Sequence, residues 1–405
     1  MKPILRAERM KPVHSDIRGP LFVEAMKRQK QGIDVLKLNT GNPATFGFGL
    51  PDSIKNALME HMQDGVGYCD FKGMPQARQA ICDYETSKGI TGITPDDVFI
   101  GNGVSEVVSF ALTPLLNDGD EVLVPSPSYS LWGNSVYLED GKPVFYTCDE
   151  KANWYPDIQD IRSKITDKTK AIVIINPNNP TGVLYPKEIL LEIIQVAREF
   201  GLLIFADEIY DRLVMDGKQH ISLASLTEDV PVITLNGLSK SHCLCGYRCG
   251  WMVISGPREL TEDYRQGIIQ LTSLRLCANT MAQIVIPAAL DDMETPASMI
   301  RPSGRIYEQR EATVRELEKI NGLSFVKNDA AFYVFPKLDV KKFNITNDKQ
   351  FAHDLLDATN ILLVPGSGFD WKDPDHFRIV MLPQADVLSD AIRRMGTFLD
   401  GYKQK

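Results

Sequence analysis

A chain of 405 residues, 43% hydrophobic and 24% charged, has the composition of an ordinary globular protein with room for one large domain and a smaller one. Its formal charge of -9 and pI near 5.3 disfavour nucleic acid or an anionic membrane as partner, since both call for a basic surface. The opening MKPILRAERMKPV lacks the apolar run of a signal peptide, and no later stretch reaches the roughly 18 apolar residues of a membrane span. A cytoplasmic protein with its seven cysteines reduced is therefore expected.

In chain order, the first fifty residues hold Gly41, Pro43, Gly47 and Gly49 in a loop too irregular for a core. From about 96 to 256 come seven short apolar runs: DVFIG, EVLVPSP, PVFYTC, AIVIINP, LLIFADEIY, VITLNGL and GWMVISG. Segments with helical periodicity separate most of them, notably 106–116 and 187–200. The pattern reads β-α-β and predicts an α/β fold with a seven-stranded, mostly parallel sheet sandwiched by helices. After Asp291 it changes to a charged helix over 304–320, short strands around AFYVFP and HFRIVML, and a last helix near 388–399. The expected division is a large α/β domain over 50–291 and a smaller α+β domain made of 1–49 with 292–405, facing each other across a cleft.

Three unusual polar clusters each follow an apolar strand: Asn176 to Gly182 after AIVII, Asp207 to Tyr210 after LLIFA, and Ser239 with Lys240 after VITLNGL. In an open parallel sheet ligands bind outside the carboxyl ends of the strands, so these clusters are expected to converge on one pocket. A lysine there is costly unless its amine is used. Desolvation should lower its pKa and leave a nucleophile able to form a Schiff base with a carbonyl such as the aldehyde of pyridoxal phosphate. Asp207, directly after a buried strand, needs a cationic or hydrogen-bonding partner, and a protonated pyridine nitrogen is one. Tyr210 and Asn179 are placed to donate to the ring's phenolate oxygen. In GNGVSE, Gly103, Val104 and Ser105 sit where a helix start presents free amides to an anion, and Arg248 offers a fork suited to phosphate, with the Ser239 hydroxyl as a further donor. The cysteines of SHCLCGYRC do not follow a zinc spacing, so no metal is expected. No G-x-G-x-x-G follows the first strand, which argues against a dinucleotide oxidoreductase, and no room precedes Arg18 for a DNA-binding module.

NPNNPTG at 176–182, DEIY at 207–210 and SKSHCLCGYRCGW at 239–251, in that order and spacing, resemble the class I aminotransferases of the fold-type I pyridoxal-phosphate enzymes. The resemblance runs over nearly the whole chain and implies pyridoxal 5'-phosphate as cofactor. It implies Lys240 as Schiff-base lysine and general base, Asp207 as partner of the pyridine nitrogen, and Tyr210 and Asn179 at the phenolate oxygen. Arg248, Ser239 and the 103–105 amides become the phosphate clamp. Tyr129 in PSPSYSLW matches the aromatic that stacks on the ring. Tyr68 resembles a tyrosine reaching the neighbouring subunit's phosphate, which implies a homodimer. Arg378 in HFRIVML resembles the arginine that grips the substrate carboxylate, and Gly41 the loop lining that site. DIRGP, LNTGNPATFGF and GYCDFKG look closer still to bacterial glutamate-pyruvate (alanine) aminotransferases, with amino acid and 2-oxo acid substrates and ping-pong kinetics through pyridoxamine phosphate. Arg18 is then the candidate for receiving the second carboxylate of glutamate. The rival readings are another class I aminotransferase, for aspartate or aromatic substrates, and a β-lyase on the same fold.

Overall fold

A computed structural model describes residues 2–405. The seven apolar runs form seven of the eight strands of one large sheet. Its order across the molecule is Val98–Asn102, Cys249–Ser255, Val232–Gly237, Leu203–Asp207, Thr169–Ile175, Glu121–Ser126, Lys142–Asp149 and Tyr155–Pro156. The eighth strand is the two-residue edge Tyr155–Pro156, too short to register as an apolar run. Cys249–Ser255 runs antiparallel to both its neighbours, whereas the strands from Val232–Gly237 to Lys142–Asp149 are parallel.

The central strands are apolar at nearly every position because both faces are covered. Ile172, Ile174, Ile204 and Ala206 pack into one core with the buried stripe Leu190, Ile193, Ile194 and Ala197 of helix Lys187–Phe200. Ala171, Val173, Ile175, Leu203 and Phe205 pack into a core on the opposite face, with Val107, Val108, Ala111 and Leu112 of helix Val104–Leu112. Each fully buried Val, Leu, Ile or Phe among them contributes about 1.5–3 kcal/mol. Asp207 continues the alternation of Leu203 and Phe205, so its carboxylate emerges on the face that also holds Trp132.

Helix Lys187–Phe200 has the expected limits and ends where Gly201 adopts φ 66°. The helix expected over 106–116 instead spans Val104–Leu112, because Pro114 has no N–H with which to extend it. The charged helix is Arg305–Leu317 and the last is Ala385–Gly401. The carboxyl-terminal third carries a three-stranded antiparallel sheet of Tyr333–Val334, Phe377–Val380 and Val364–Pro365. The amino-terminal segment joins this region: Leu36–Lys37 pairs parallel with Ile361–Leu362, and Leu38 enters its core. The early loop is more interior than expected, with Leu38, Asn39 and Pro43 buried, since Arg378 and Ile17 accept or supply its polar contacts. All seven cysteines are free. Among the described residues no single helix is long and apolar enough to cross a membrane.

Candidate active site

The carboxyl ends of the parallel strands open onto a cavity of about 920 Å³. Val104, Ser105, Tyr129, Asn179, Asp207, Tyr210, Ser239, Lys240, Arg248 and Arg378 line it, together with Gly41 and Arg18 from the amino-terminal segment. Of the residues expected from sequence, Gly103 lies just behind the wall and Tyr68 lies outside it, 84% exposed.

Asp207 sits on the cavity floor, 5% exposed. Its Oδ2 accepts from Trp132 Nε1 at 3.1 Å and its Oδ1 from the Ile209 N–H at 3.4 Å. Burial pushes its pKa up to about 6, although Trp132 and the Ile209 amide favour the carboxylate. It is a carboxylate held by neutral donors, best satisfied by a cation. Lys240 follows Val232–Gly237 on the one-turn helix Leu238–Ser241, and its Nζ donates to the Gly41 carbonyl at 3.0 Å with Cys245 Sγ at 4.0 Å. Burial works against its ammonium, yet Tyr333, Cys245 and Tyr129 around it hold its pKa above the usual lysine value. The lowered pKa expected from desolvation alone is thereby corrected: the neighbours outweigh burial and favour the ammonium.

Arg378 is 1% exposed and has no carboxylate partner among the described residues. Its Nη1 donates to Asn179 Oδ1 at 2.9 Å and its Nη2 to the Asn39 carbonyl, while its guanidinium lies over the rings of Tyr333 and Phe369, 4.5 and 4.6 Å from their centroids. Its Nε is buried without a partner, and burial lowers its pKa. A buried, uncompensated guanidinium is costly unless an anion is its purpose. With its oxygen engaged by Arg378, Asn179 is left to donate from its amide nitrogen. Tyr210 shares a 2.8 Å hydrogen bond with Tyr333 Oη, and burial raises its pKa well above the usual value.

At the opposite end, Gly103 caps helix Val104–Leu112 with φ 86°, and a Cβ there would meet Arg248 Nη2 at 2.2 Å. Only glycine lets the guanidinium lie against the helix start. Arg248 donates to Ser105 Oγ at 3.1 Å and to the Cys245 carbonyl at 3.0 Å. Gly250 permits a second close approach, since a Cβ would come within 2.4 Å of the Val104 nitrogen. A helix start, a hydroxyl and an arginine thus converge on an anion site. Ser239 lines the wall beside them, and its carbonyl accepts the Cys245 thiol at 3.0 Å. Arg18 is exposed at the mouth and engaged in no hydrogen bond or ion pair among the described residues.

Sequence reasoning missed Trp132, Tyr333 and Asn39. Trp132 stands three residues after Tyr129, and Tyr333 lies within AFYVFP, where it reads as strand. Their neighbourhood was legible; their roles depend on contacts across 75 and 123 residues of chain.

A lysine and a buried aspartate at the strand ends of a doubly covered sheet thus share one cavity with Arg248 and Arg378, neither of which has a carboxylate partner among the described residues, a charge arrangement suited to anionic molecules. The chain belongs to the class I and II aminotransferases, whose family model matches residues 33–394. It is 49% identical to the glutamate-pyruvate aminotransferase AlaA of Haemophilus influenzae, covering 100% of both chains. Its fold superposes on a crystal structure of an Escherichia coli aminotransferase with a TM-score of 0.98, at 47% identity over 100% of both chains. An alanine aminotransferase from Pyrococcus furiosus gives a TM-score of 0.93 at 40% identity, over 98% of this chain and 100% of that one.

Proposed function

We propose that this aminotransferase uses pyridoxal 5'-phosphate to move the amino group of L-alanine to 2-oxoglutarate, giving pyruvate and L-glutamate reversibly. The observation that carries the reading is the arrangement of charges in one cavity: Asp207 on the floor without a cation, Arg378 buried without an anion, and Lys240 between them. Relatives bearing the glutamate-pyruvate name match over their full length.

The residues fit the cofactor. Asp207, raised by burial and held by neutral donors, would pair with a protonated ring nitrogen. The Gly103 cradle, the Val104 and Ser105 amides, Arg248 and Ser239 would hold the phosphate. Tyr210 and Asn179 would donate to the phenolate oxygen, and Tyr129 would cover the ring. When bound, the cofactor supplies an aldehyde for the amine and an electron sink for the substrate's α-carbon. The chain supplies the rest. Arg378 fixes the substrate carboxylate bidentately, a task for a planar fork. The Lys240 amine, once released, would take the proton from the substrate α-carbon and hand it to the carbon that had been the aldehyde, on the other side of the shared nitrogen. The Gly41 carbonyl keeps that amine within the cavity between transfers.

A homodimer is part of the proposal. Tyr68, Met62, Val66, Leu274 and Leu276 are all exposed, on two segments that Arg275 and Thr280 join through the Phe71 and Gly65 carbonyls, and a second copy would cover them. The division into a large unit over 50–291 and a small one of 1–49 with 292–405 is supported by a core that draws on Leu38 and residues from Leu317 to Leu399, while Phe335, Val364 and Phe369 pack across the boundary into a core of the large sheet.

The deciding measurement is visible absorbance. Cofactor-loaded protein should lose its yellow band on adding L-alanine and regain it with 2-oxoglutarate. A band that alanine leaves unchanged removes the substrate assignment, and pyruvate with ammonia released in the absence of a keto acid would point to a β-lyase.

A further inference from the structure

Behind the cavity floor lies a buried cluster of charge that the chemistry above does not use. Lys88, at the end of helix Pro75–Ser87, places its ammonium 2.6 Å from Glu85, 2.8 Å from Glu208 and 3.3 Å from Asp211, with the three carboxylates 0–3% exposed. The ligand atoms of Glu208, Asp211 and His220 lie within 4.8 Å of one another, as around a metal ion, but here the lysine is the cation.

The cluster reaches the strand ends that carry Asn179, Asp207 and Lys240. Asp211 Oδ2 accepts from Tyr84 Oη at 2.5 Å and from Asn236 Nδ2 at 2.7 Å, and Asn236 Oδ1 accepts the Gly237 N–H at 2.7 Å, three residues before Lys240. Glu208, next to Asp207, accepts from Ser222 Oγ at 2.8 Å and the Leu223 amide at 3.1 Å. His220, whose pKa burial lowers, is neutral and donates from Nε2 to the Asn176 carbonyl at 3.2 Å, where the segment carrying Asn179 begins. Glu85 accepts from Trp251 Nε1 at 3.1 Å on the strand that follows Arg248. Arg212 lies over the Tyr84 ring, 4.3 Å from its centroid, and His242, whose pKa burial lowers to about 4, also faces Asp211.

We propose, resting on the reading of the site given above, that Lys88 is a positioning residue for transamination: its buried ammonium ties together the strand ends bearing Asp207, Lys240 and Asn179 and balances the negative charge behind Asp207. A carboxylate cluster without its cation repels itself and loosens each loop it anchors. The remaining negative charge then also acts on the ring nitrogen's partner.

The test uses full-length, cofactor-loaded protein and follows the pH titration of the visible band, kcat and KM for alanine, and thermal unfolding. Lys88→Met should lower kcat about tenfold with KM little changed, and should move the band's titration upward by roughly half a pH unit or more. Lys88→Arg should recover part of both. Glu208→Gln removes charge of the opposite sign and should move the titration downward. Asn236→Ala, which keeps the ammonium and cuts only the link to the Lys240 turn, should lower kcat several-fold with the titration unmoved. If Lys88→Met does not accumulate as folded protein, Glu208→Gln and Asn236→Ala decide. Folded variants that lose only thermal stability, with wild-type kcat and an unmoved titration, overturn the proposal. Wild-type protein that forms no band overturns the reading of the site itself, a different failure.

Discussion

The floor and the mouth of the cavity are built on different terms. On the floor, Asp207, Tyr210 and Arg378 are buried, placed by strand ends or by strand Phe377–Val380, and each is held by at least one further side chain or carbonyl. At the mouth, Ser15 and Arg18 belong to an irregular segment, and Arg18 touches nothing that would fix it. Chemistry that tolerates little misplacement stands on rigid elements, while in the function proposed above selection among substrates would fall to a loop segment. Two substrates as unlike as alanine and glutamate need freedom there, because one brings a methyl group and the other a second carboxylate to the same place.

If the comparison holds, substitutions on the floor should act on the chemical step by orders of magnitude. Lys240→Ala should reduce turnover by at least about 10³-fold, the range lost with a positioned acid-base group, and abolish the covalently held yellow band. Asp207→Asn should reduce kcat by roughly 10²-fold while stabilising the cofactor-free protein. The sign follows from the raised pKa. An acid whose folded pKa rises from 3.8 to about 6 binds more protons folded than unfolded, so stability falls as pH climbs through that window. Above pH 6 the ionised, buried Asp207 costs about 3 kcal/mol, and its removal should raise the melting temperature of cofactor-free protein at pH 7 but not at pH 4. An equal effect at both pH values would show that Asp207 is not the group that titrates. Arg378→Lys keeps the charge and loses the fork, so kcat/KM should fall by about 10²-fold for alanine and glutamate alike.

The floor was also the part legible in the sequence. Strand ends announce themselves when an apolar run stops at a polar cluster, and sheet topology then brings 176–182, 207–210 and 239–240 together with no further information. The same reading reached Arg248 and the helix start at Gly103. It misjudged Lys240's pKa, because Tyr333 reaches it through a contact that spacing does not encode, and it passed over Trp132, whose indole meets Asp207 across 75 residues. It overran Pro114 by treating periodicity as sufficient, and it left the early loop outside the core although Leu38 and Asn39 are buried there. What local pattern cannot supply is how a loop packs on a distant partner.

Effects at the mouth should be smaller and should separate the two substrates. Arg18→Ala should lower kcat/KM for glutamate by about tenfold, close to 1.4 kcal/mol, and leave alanine within about twofold. Equal losses for both would mean that Arg18 serves the common carboxylate or the fold. The segment carrying it is seated by His14, which exchanges hydrogen bonds with Asn134 on the cavity wall and lies 3.1 Å from Asp370 and 3.6 Å from Asp16. Asp16 and Asp370 raise the His14 pKa to about 9, so its imidazolium holds the segment fully below about pH 6.5 and releases it as pH rises through 9. The KM for glutamate should therefore rise a few-fold between pH 8 and 10 in the wild type. In His14→Gln it should already be raised at pH 7 and should change less over the same range. A wild-type profile that the substitution leaves unaltered would move the pH dependence away from the mouth and back to the floor.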